Sequence, residues 1–146
     1  MFRLSTNQND WHEGYDKCKD KFGADLARIN SELEQKELTK IIQDWKKEWM
    51  ETNDGKWKDY WIGLSDYFTP GTLTWSLHQD QPSYTNWAYG EPNDDIMNNN
   101  VGATCAYIPK DIENTDKWQT SACGKRQGSI DQAGRIRKYV ILQSFK

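Results

Sequence analysis

The sequence lacks a long apolar segment and a strong charge of either sign. No part of its 146 residues approaches the length of apolar chain that a membrane-spanning helix needs. The formal net charge is only −3, so nothing in the overall charge indicates a nucleic-acid partner. Residues 1–20 lack the apolar core of a signal peptide, and we expect Met1 to be an artificial or processed start. These absences predict a domain that meets a membrane only within a larger receptor.

Cysteine and histidine are also scarce. The three cysteines, Cys18, Cys105 and Cys123, show neither paired CxxC spacing nor a zinc-binding pattern. In an extracellular domain an odd number implies one disulfide and one remaining thiol, whereas in the cytosol all three would be reduced. The two histidines, His12 and His78, have no serine or cysteine nucleophile arranged around them. We therefore do not expect an enzyme.

Aromatic residues, in contrast, are abundant. The chain has 8 Trp, 7 Tyr and 4 Phe, and such side chains remove large apolar areas from water when they pack. A chain of this length can bury a real core. We expect one folded domain over residues 1–146, with no internal repeat or linker.

Two helices are predicted in the first third of the chain. Asp10 with Glu13 three residues later is a helix start signal, and Gly23 is a stop signal. Ser31 with Glu34 predicts the start of a second helix, whose apolar stripe runs to about Met50.

Short strands and one long polar loop follow the helices. Residues 78–104 are rich in Asn, Asp, Gly and Pro and are too long for an ordinary connection, so we expect a functional loop. Helices first and strands afterwards indicate an α+β domain. The predicted strands are residues 1–5, 60–65, 72–77, 105–108, 117–119 and 138–142.

Several motifs occur in an order that resembles the C-type lectin-like domain family, over nearly the whole chain. The resemblance is carried by Trp11, Gly14 and Cys18, residues 24–30, Trp61-Ile62-Gly63-Leu64, Gly71, Trp75, residues 84–87, Gly90-Glu91-Pro92-Asn93, Cys105, Trp118 and Cys123. It implies a double-loop fold of two helices and two small antiparallel sheets, in which the first and last strands pair and a long loop binds the ligand. It also implies a disulfide between Cys105 and Cys123.

The Glu91-Pro92-Asn93 tripeptide is the motif that implies a function. In calcium-dependent members of the family its proline is cis, and the two flanking side chains ligate one Ca²⁺. Glu-Pro-Asn goes with mannose-type recognition, in which two sugar hydroxyls ligate the ion while the acid and the amide hydrogen-bond them. The resemblance therefore implies a mannose-type lectin.

The principal calcium site departs from the family pattern. Ala103 stands where a Glu ligand is expected, and Gln119-Thr120 stands in place of an Asn-Asp pair. Glu91 and Asn93 remain, with Gln119 as a weak oxygen donor. Because Ca²⁺ prefers six to eight oxygen ligands, this set should bind it only weakly.

An auxiliary calcium site is degraded as well. Asp66 and Asp94 match it, but Pro70, Ala103 and Thr104 stand where acids are expected. Asp94 and Asp95 could rebuild a non-standard site with help from Asn98, Asn99 or Asn100. We therefore expect a weak or absent calcium site at Glu91, Asn93 and Asp94.

Two further departures concern the end of the chain. In the family Cys18 pairs with a cysteine of the final strand, and Ile141 stands there in this sequence. We expect a buried Cys18 thiol, with an intermolecular disulfide as the alternative. Residues 124–138 are longer than the family pattern and basic. We interpret them as a solvated loop, with a site for sulfated or acidic ligands as the alternative.

Two functions remain open. The first is a carbohydrate-binding domain that contacts a glycan or glycoprotein through Glu91, Asn93, Asp94 and Gln119, with Trp87 or Tyr89 as part of the wall. The second is a calcium-independent domain that binds a protein or an anionic, sulfated ligand. In both cases we expect a secreted protein or a receptor ectodomain, with no nucleic-acid partner.

Overall fold

A computed structural model describes residues 2–52, 59–93, 103–124, 127–133 and 140–143. It confirms the α+β class. The elements in chain order are β1 (Phe2–Asn9), α1 (Trp11–Phe22), β2 (Ala24–Leu26), α2 (Glu32–Thr52), β3 (Tyr60–Ser65), β4 (Thr74–Trp75), β5 (Thr104–Ile108), β6 (Gln119–Ala122), β7 (Gln127–Ala133) and β8 (Val140–Gln143). Neither α1 nor α2, the helices that the structure describes, is both long and apolar enough to cross a membrane.

Side-chain caps define where the two helices begin. The Asp10 carboxylate accepts a hydrogen bond from the Glu13 N–H at 2.8 Å, and the Glu13 carboxylate accepts one from the Asp10 N–H at 3.3 Å. The Ser31 hydroxyl accepts from the Glu34 N–H at 3.1 Å, while Glu34 reaches back to the N–H of Asn30. These bonds satisfy N–H groups that a helix start leaves without partners. Both predicted starts are confirmed.

The sheet is built outward from β3, whose six residues are all buried. β3 pairs antiparallel with β4 and β5, and β5 pairs antiparallel with β6. On its other side β3 pairs parallel with β7, which also pairs antiparallel with β1, β2 and β8. β4 is shorter than the predicted strand 72–77, since only Thr74 and Trp75 pair with β3.

The interpretation of residues 124–138 as a loop was wrong for residues 127–133. These form β7, which pairs with β1, so among the described residues the partner of the first strand is β7 rather than the predicted strand at 138–142. The β7 sequence QGSIDQA has no alternation of apolar and polar residues, and the pattern therefore missed it. The last strand, β8, does occur near its predicted place, although residues 138 and 139 lie outside the described part.

Cys18 lies on α1, which contacts both β2 and β7. Ile141, which the resemblance placed opposite Cys18, lies on β8. Cys18 itself is fully buried in a cluster with Trp11 and Leu26, so the buried-thiol prediction is confirmed. Such a position opposes the intermolecular disulfide, because two chains could join there only if the core opened.

The core has two parts, one on each side of β3. The first packs α2 against the sheet through Leu38, Ile42, Ile62 and Ile108. The second lies under α1 and contains Trp11, Trp61 and the disulfide between Cys105 and Cys123, whose Cα atoms are 5.0 Å apart. This disulfide is the one that the resemblance implied. It joins the start of β5 to the end of β6 and so closes the part of the domain that carries the long loop.

Gly63 marks a close backbone contact between β3 and the segment after β2. Its N–H donates to the Ala27 carbonyl at 2.8 Å, and its carbonyl accepts from the Ser76 N–H at 2.7 Å. A Cβ atom at this position would lie 2.9 Å from the Leu26 carbonyl oxygen and 2.9 Å from the Ser76 hydroxyl. Position 63 therefore requires glycine, because the surrounding atoms leave no room for a Cβ atom.

Gly63→Ala should lower the free energy of unfolding by about 1–3 kcal/mol, because the backbone on one side cannot move aside. Urea unfolding measures the change. Gly124→Ala is the matched control, since a Cβ there meets nothing within 4 Å. The control should change stability by less than about 0.5 kcal/mol. Equal stability of the two variants would show that the close approach at Gly63 is not real.

Candidate functional site

The Glu91-Pro92-Asn93 tripeptide lies beside β6. The peptide bond between Glu91 and Pro92 is cis, as the resemblance implied. Two backbone hydrogen bonds hold the preceding loop to the start of β6: Trp118 N–H donates to Asn86 O at 2.7 Å, and Ala88 N–H donates to Trp118 O at 2.9 Å. These two bonds fix the loop backbone at Asn86 and Ala88, a few residues before the tripeptide begins.

Thr120 connects the two ends of the tripeptide. Its hydroxyl accepts a hydrogen bond from the Asn93 N–H at 3.1 Å and lies in hydrogen-bonding contact with Oε1 of Glu91. The Thr120 N–H also donates to the same Glu91 oxygen at 3.2 Å. The residue that replaces an expected calcium ligand therefore holds the tripeptide in place by hydrogen bonds. One oxygen of the Glu91 carboxylate is occupied by them.

Gln119 is the residue before Thr120 on β6. Its side-chain carbonyl accepts a hydrogen bond from the Tyr107 hydroxyl at 2.9 Å, across the β5–β6 pair. Burial raises the pKa of Tyr107 to about 12, with further contributions from the negative charges of Asp59 and Glu91. Tyr107 thus stays neutral near neutral pH and acts as a donor to Gln119.

The described residues do not form a calcium site of the family type. Glu91, Asn93 and Gln119 supply one carboxylate and two amides, and hydrogen bonds already occupy Glu91 Oε1 and the Gln119 carbonyl. Among the residues described, no three His, Cys, Asp or Glu side chains come together as a metal-binding group. Ca²⁺ prefers six to eight oxygens, several of them charged. Asp94 and Asp95, the predicted additional acids, lie outside the described residues.

The carboxylate of Asp66, predicted for the auxiliary calcium site, has a structural use. It is 6% exposed, and its Oδ1 accepts a hydrogen bond from the Thr104 N–H at 2.5 Å. The Asp66 N–H donates in return to the Thr104 carbonyl at 3.0 Å, and Oδ2 is 3.4 Å from the Gly71 N–H. Asp66 therefore ties the segment after β3 to the first residue of β5.

Sequence reasoning missed Gln35, the buried group that positions Trp118. The Trp118 indole N–H donates to the Gln35 side-chain carbonyl at 2.7 Å, and both residues are buried. Three rings, those of Trp75, Tyr84 and Trp87, meet the Trp118 ring edge-on at 5.5–6.0 Å between centroids. The sequence did contain a signal that Gln35 is buried, because Gln35 lies on the same helix face as the apolar residues Leu38 and Ile42.

A polar network continues from Gln35 toward the long loop. The Gln35 amide donates to Thr39 Oγ1 at 3.1 Å, and Thr39 Oγ1 is 2.7 Å from Asp116 Oδ2. The Asn86 amide donates to the Asp116 carbonyl at 3.1 Å, and Lys117 Nζ donates to Asn86 Oδ1 at 2.8 Å. This network connects α2 to both segments that flank the tripeptide.

Gln35→Leu should lower the free energy of unfolding by about 1–3 kcal/mol, because the buried indole N–H of Trp118 loses its acceptor. Chemical unfolding followed by tryptophan fluorescence measures the loss. Gln43→Leu is the control on the exposed face of α2 and should change stability by less than about 0.5 kcal/mol. A Gln35 variant as stable as its control would contradict the assigned role.

The raised pKa of Tyr107 predicts a loss of stability at alkaline pH. Its folded pKa of about 12 lies above the ordinary value of 10.0. The unfolded state therefore releases the phenolic proton first, and the Tyr107 contribution is complete below pH 10.0 and lost as the pH rises to about 12. An absorbance titration should show one tyrosine that ionises only near pH 12, and this ionisation should be absent in Tyr107→Phe. A titration with no such difference between the two proteins would contradict the burial of this hydroxyl.

Comparisons with known proteins agree with this geometry. The family described as "Lectin C-type domain" matches residues 7–130. Human lymphocyte antigen 75 is 30% identical over 113 residues, which are 77% of this chain and 5% of that protein. The chain thus spans only a small part of this relative.

Solved structures show the same fold. The carbohydrate-recognition domain of cow CD23, solved in the presence of GlcNAc2Man3 oligosaccharide, is 26% identical with a TM-score of 0.63, and the match covers 90% of this chain and 85% of that one. The carbohydrate-recognition domain of the mouse scavenger receptor C-type lectin is 22% identical with a TM-score of 0.65, over 91% and 88% of the two chains. The family is typically carbohydrate-binding and generally non-enzymatic. The chain belongs to the C-type lectin domain family.

Proposed function

We propose that the chain is a carbohydrate-binding domain whose polar contacts come from Glu91, Asn93, Asp94 and Gln119, with mannose-type preference if calcium is bound at the Glu-Pro-Asn loop. The observation that carries this proposal is the hydrogen bonding of Thr120 to the Glu91 carboxylate and to the Asn93 backbone N–H, which fixes both ends of the tripeptide beside β6. A pre-positioned set of donors and acceptors lowers the ordering cost of binding a flexible, hydroxyl-rich ligand.

The chemistry of these side chains suits sugar hydroxyls. The second oxygen of Glu91, Oε2, has no hydrogen-bond partner among the residues described, so it can accept from a hydroxyl. The Gln119 amide nitrogen donates to no described residue and can donate to a hydroxyl oxygen. An acceptor and a donor on neighbouring positions match a pair of adjacent sugar hydroxyls.

Calcium makes at most a small contribution in this proposal. Thr120 supplies an uncharged hydroxyl where a carboxylate is expected, and that hydroxyl is engaged with Glu91. Any ion at Glu91, Asn93 and Asp94 would be held weakly, because calcium affinity follows the charge and number of its ligands. Binding of a single sugar should then be weak, and affinity would come from multivalent display.

We also propose an extracellular location, either secreted or as part of a receptor ectodomain. The disulfide between Cys105 and Cys123 supports it, because such bonds persist in oxidising compartments. The small share of the human relative that the chain spans is consistent with a domain of a larger protein.

A protein ligand is the second candidate function, and one observation favours it. Tyr89 is fully exposed two residues before Glu91. Exposed tyrosines are frequent anchors of protein interfaces. The predicted basic segment, which would favour sulfated ligands, has its Lys125, Arg126, Arg135, Arg137 and Lys138 outside the described residues.

Glu91→Gln tests the sugar-binding function. The substitution keeps the shape of the side chain and removes its charge, so binding to a mannose-rich glycan surface should weaken by about tenfold or more. Glu37→Gln is the matched control, since Glu37 is an exposed acid on α2. Glycan-array binding, with melting temperatures recorded for both variants, measures the difference.

Three outcomes would contradict the proposal. A glycan array without any signal for the native chain would exclude sugar binding at this surface. Equal binding by the Glu91 and Glu37 variants would place the sugar elsewhere. Salt-sensitive binding of sulfated glycans alone would favour the anionic-ligand alternative instead.

A further inference from the structure

An open cavity of about 360 Å³ lies beside Pro92, and the side chains proposed above to contact sugar are not among its described lining residues. The segment at Gly71, Thr72 and Leu73 forms one wall, and Gln81 with Pro82 forms another. Trp87 and Pro92 complete the lining. Glu91, Asn93 and Gln119 do not line it. Ligand cavities usually measure about 300–1,000 Å³, so this one suits a single small ring rather than a long chain.

The apolar part of the lining favours a neutral ligand with a flat or ring-shaped body. Leu73, Pro82 and Pro92 contribute aliphatic surface, and Trp87 contributes an indole ring. Among the residues that the structure describes, no charged side chain lines the cavity. A charged ligand would therefore lose water without gaining a partner charge, which costs free energy.

The polar part of the lining favours a ligand with hydroxyl groups at its edge. The Trp87 indole N–H, the Thr72 hydroxyl and the Gln81 amide have no hydrogen-bond partner within the described part of the chain. Together they offer three donor groups and two acceptors, because the hydroxyl and the amide can act in both ways. An aliphatic ligand would leave these groups unused, whereas a sugar ring can use them along with its apolar face.

The cavity walls are held by contacts that are already present without a ligand. The Trp87 ring meets the buried Trp118 ring edge-on at 5.5 Å between centroids. The Thr72 N–H donates to the Thr69 carbonyl at 2.9 Å, which closes the turn that carries Gly71. A pre-formed cavity reduces the conformational cost of binding.

We propose that this cavity binds one neutral pyranose residue without calcium, with one sugar face on Trp87 and its hydroxyls on Gln81 and Thr72. It would be a second sugar site, which Glu91 does not line. The proposal needs neither Glu91 nor a metal, so it can fail while the proposed function stands, and the reverse also holds.

The test is a titration of the ¹⁵N-labelled chain with methyl α-mannopyranoside and methyl β-galactopyranoside in the presence of EDTA. At least one sugar should shift the Trp87 indole N–H signal and the backbone signals of Gly71, Thr72 and Leu73 in the millimolar range. Gln81→Ala should weaken this binding by about three- to tenfold, the loss expected for one hydrogen bond. Gln43→Ala, an exposed glutamine on α2, should bind like the native chain.

Each of three results would overturn the second sugar site. In the first, the NMR signals of the cavity residues do not shift at saturating concentrations of either glycoside. In the second, these signals shift equally in Gln81→Ala and in the native chain. Finally, a short proline-rich peptide, which aromatic grooves also bind, could shift these signals while neither glycoside does. That last result would assign the cavity to a peptide.

Discussion

The hydrogen bond from the Trp118 indole to Gln35 is the contact on which the rest of the site depends. Trp118 is fully buried, and its backbone binds the long loop at Asn86 and Ala88. The two residues that follow it, Gln119 and Thr120, form part of the site. A buried donor without an acceptor costs about 1–3 kcal/mol, a large part of the stability of a small domain. One glutamine on α2 thus fixes the position of the tryptophan that holds the long loop.

The sequence predicted those parts of the fold that have a local signal. Both helix starts follow from side chains that cap their own backbone, and β3 follows from an unbroken apolar run. β7 could not be predicted in this way. Its polar residues form a strand because β1, β2 and β3 supply pairing partners, which is a property of the tertiary structure.

The site was predictable as a set of motifs and less so as a set of contacts. Glu91 and the Asn93 backbone both bind Thr120, the residue that follows Gln119 on β6. The joint use of Glu91, Asn93 and Gln119 in sugar binding stays a prediction. The role of Thr120 was not visible, because a threonine in place of a ligand indicates only that a carboxylate is missing. In the structure its hydroxyl binds both Glu91 and Asn93. The sequence shows only that a calcium ligand has been replaced. The three-dimensional structure is needed to show whether the replacing residue makes new contacts of its own.

The central claim is that Thr120, and not a bound ion, holds the Glu-Pro-Asn loop in place. Calcium titration of the native chain by calorimetry tests this most directly, with thermal unfolding recorded in parallel. A folded-state ligand raises the melting temperature once its concentration exceeds its dissociation constant. We expect no saturable heat and no rise in melting temperature below millimolar calcium. Saturable one-site binding at micromolar calcium, with a matching rise in melting temperature, would contradict the account.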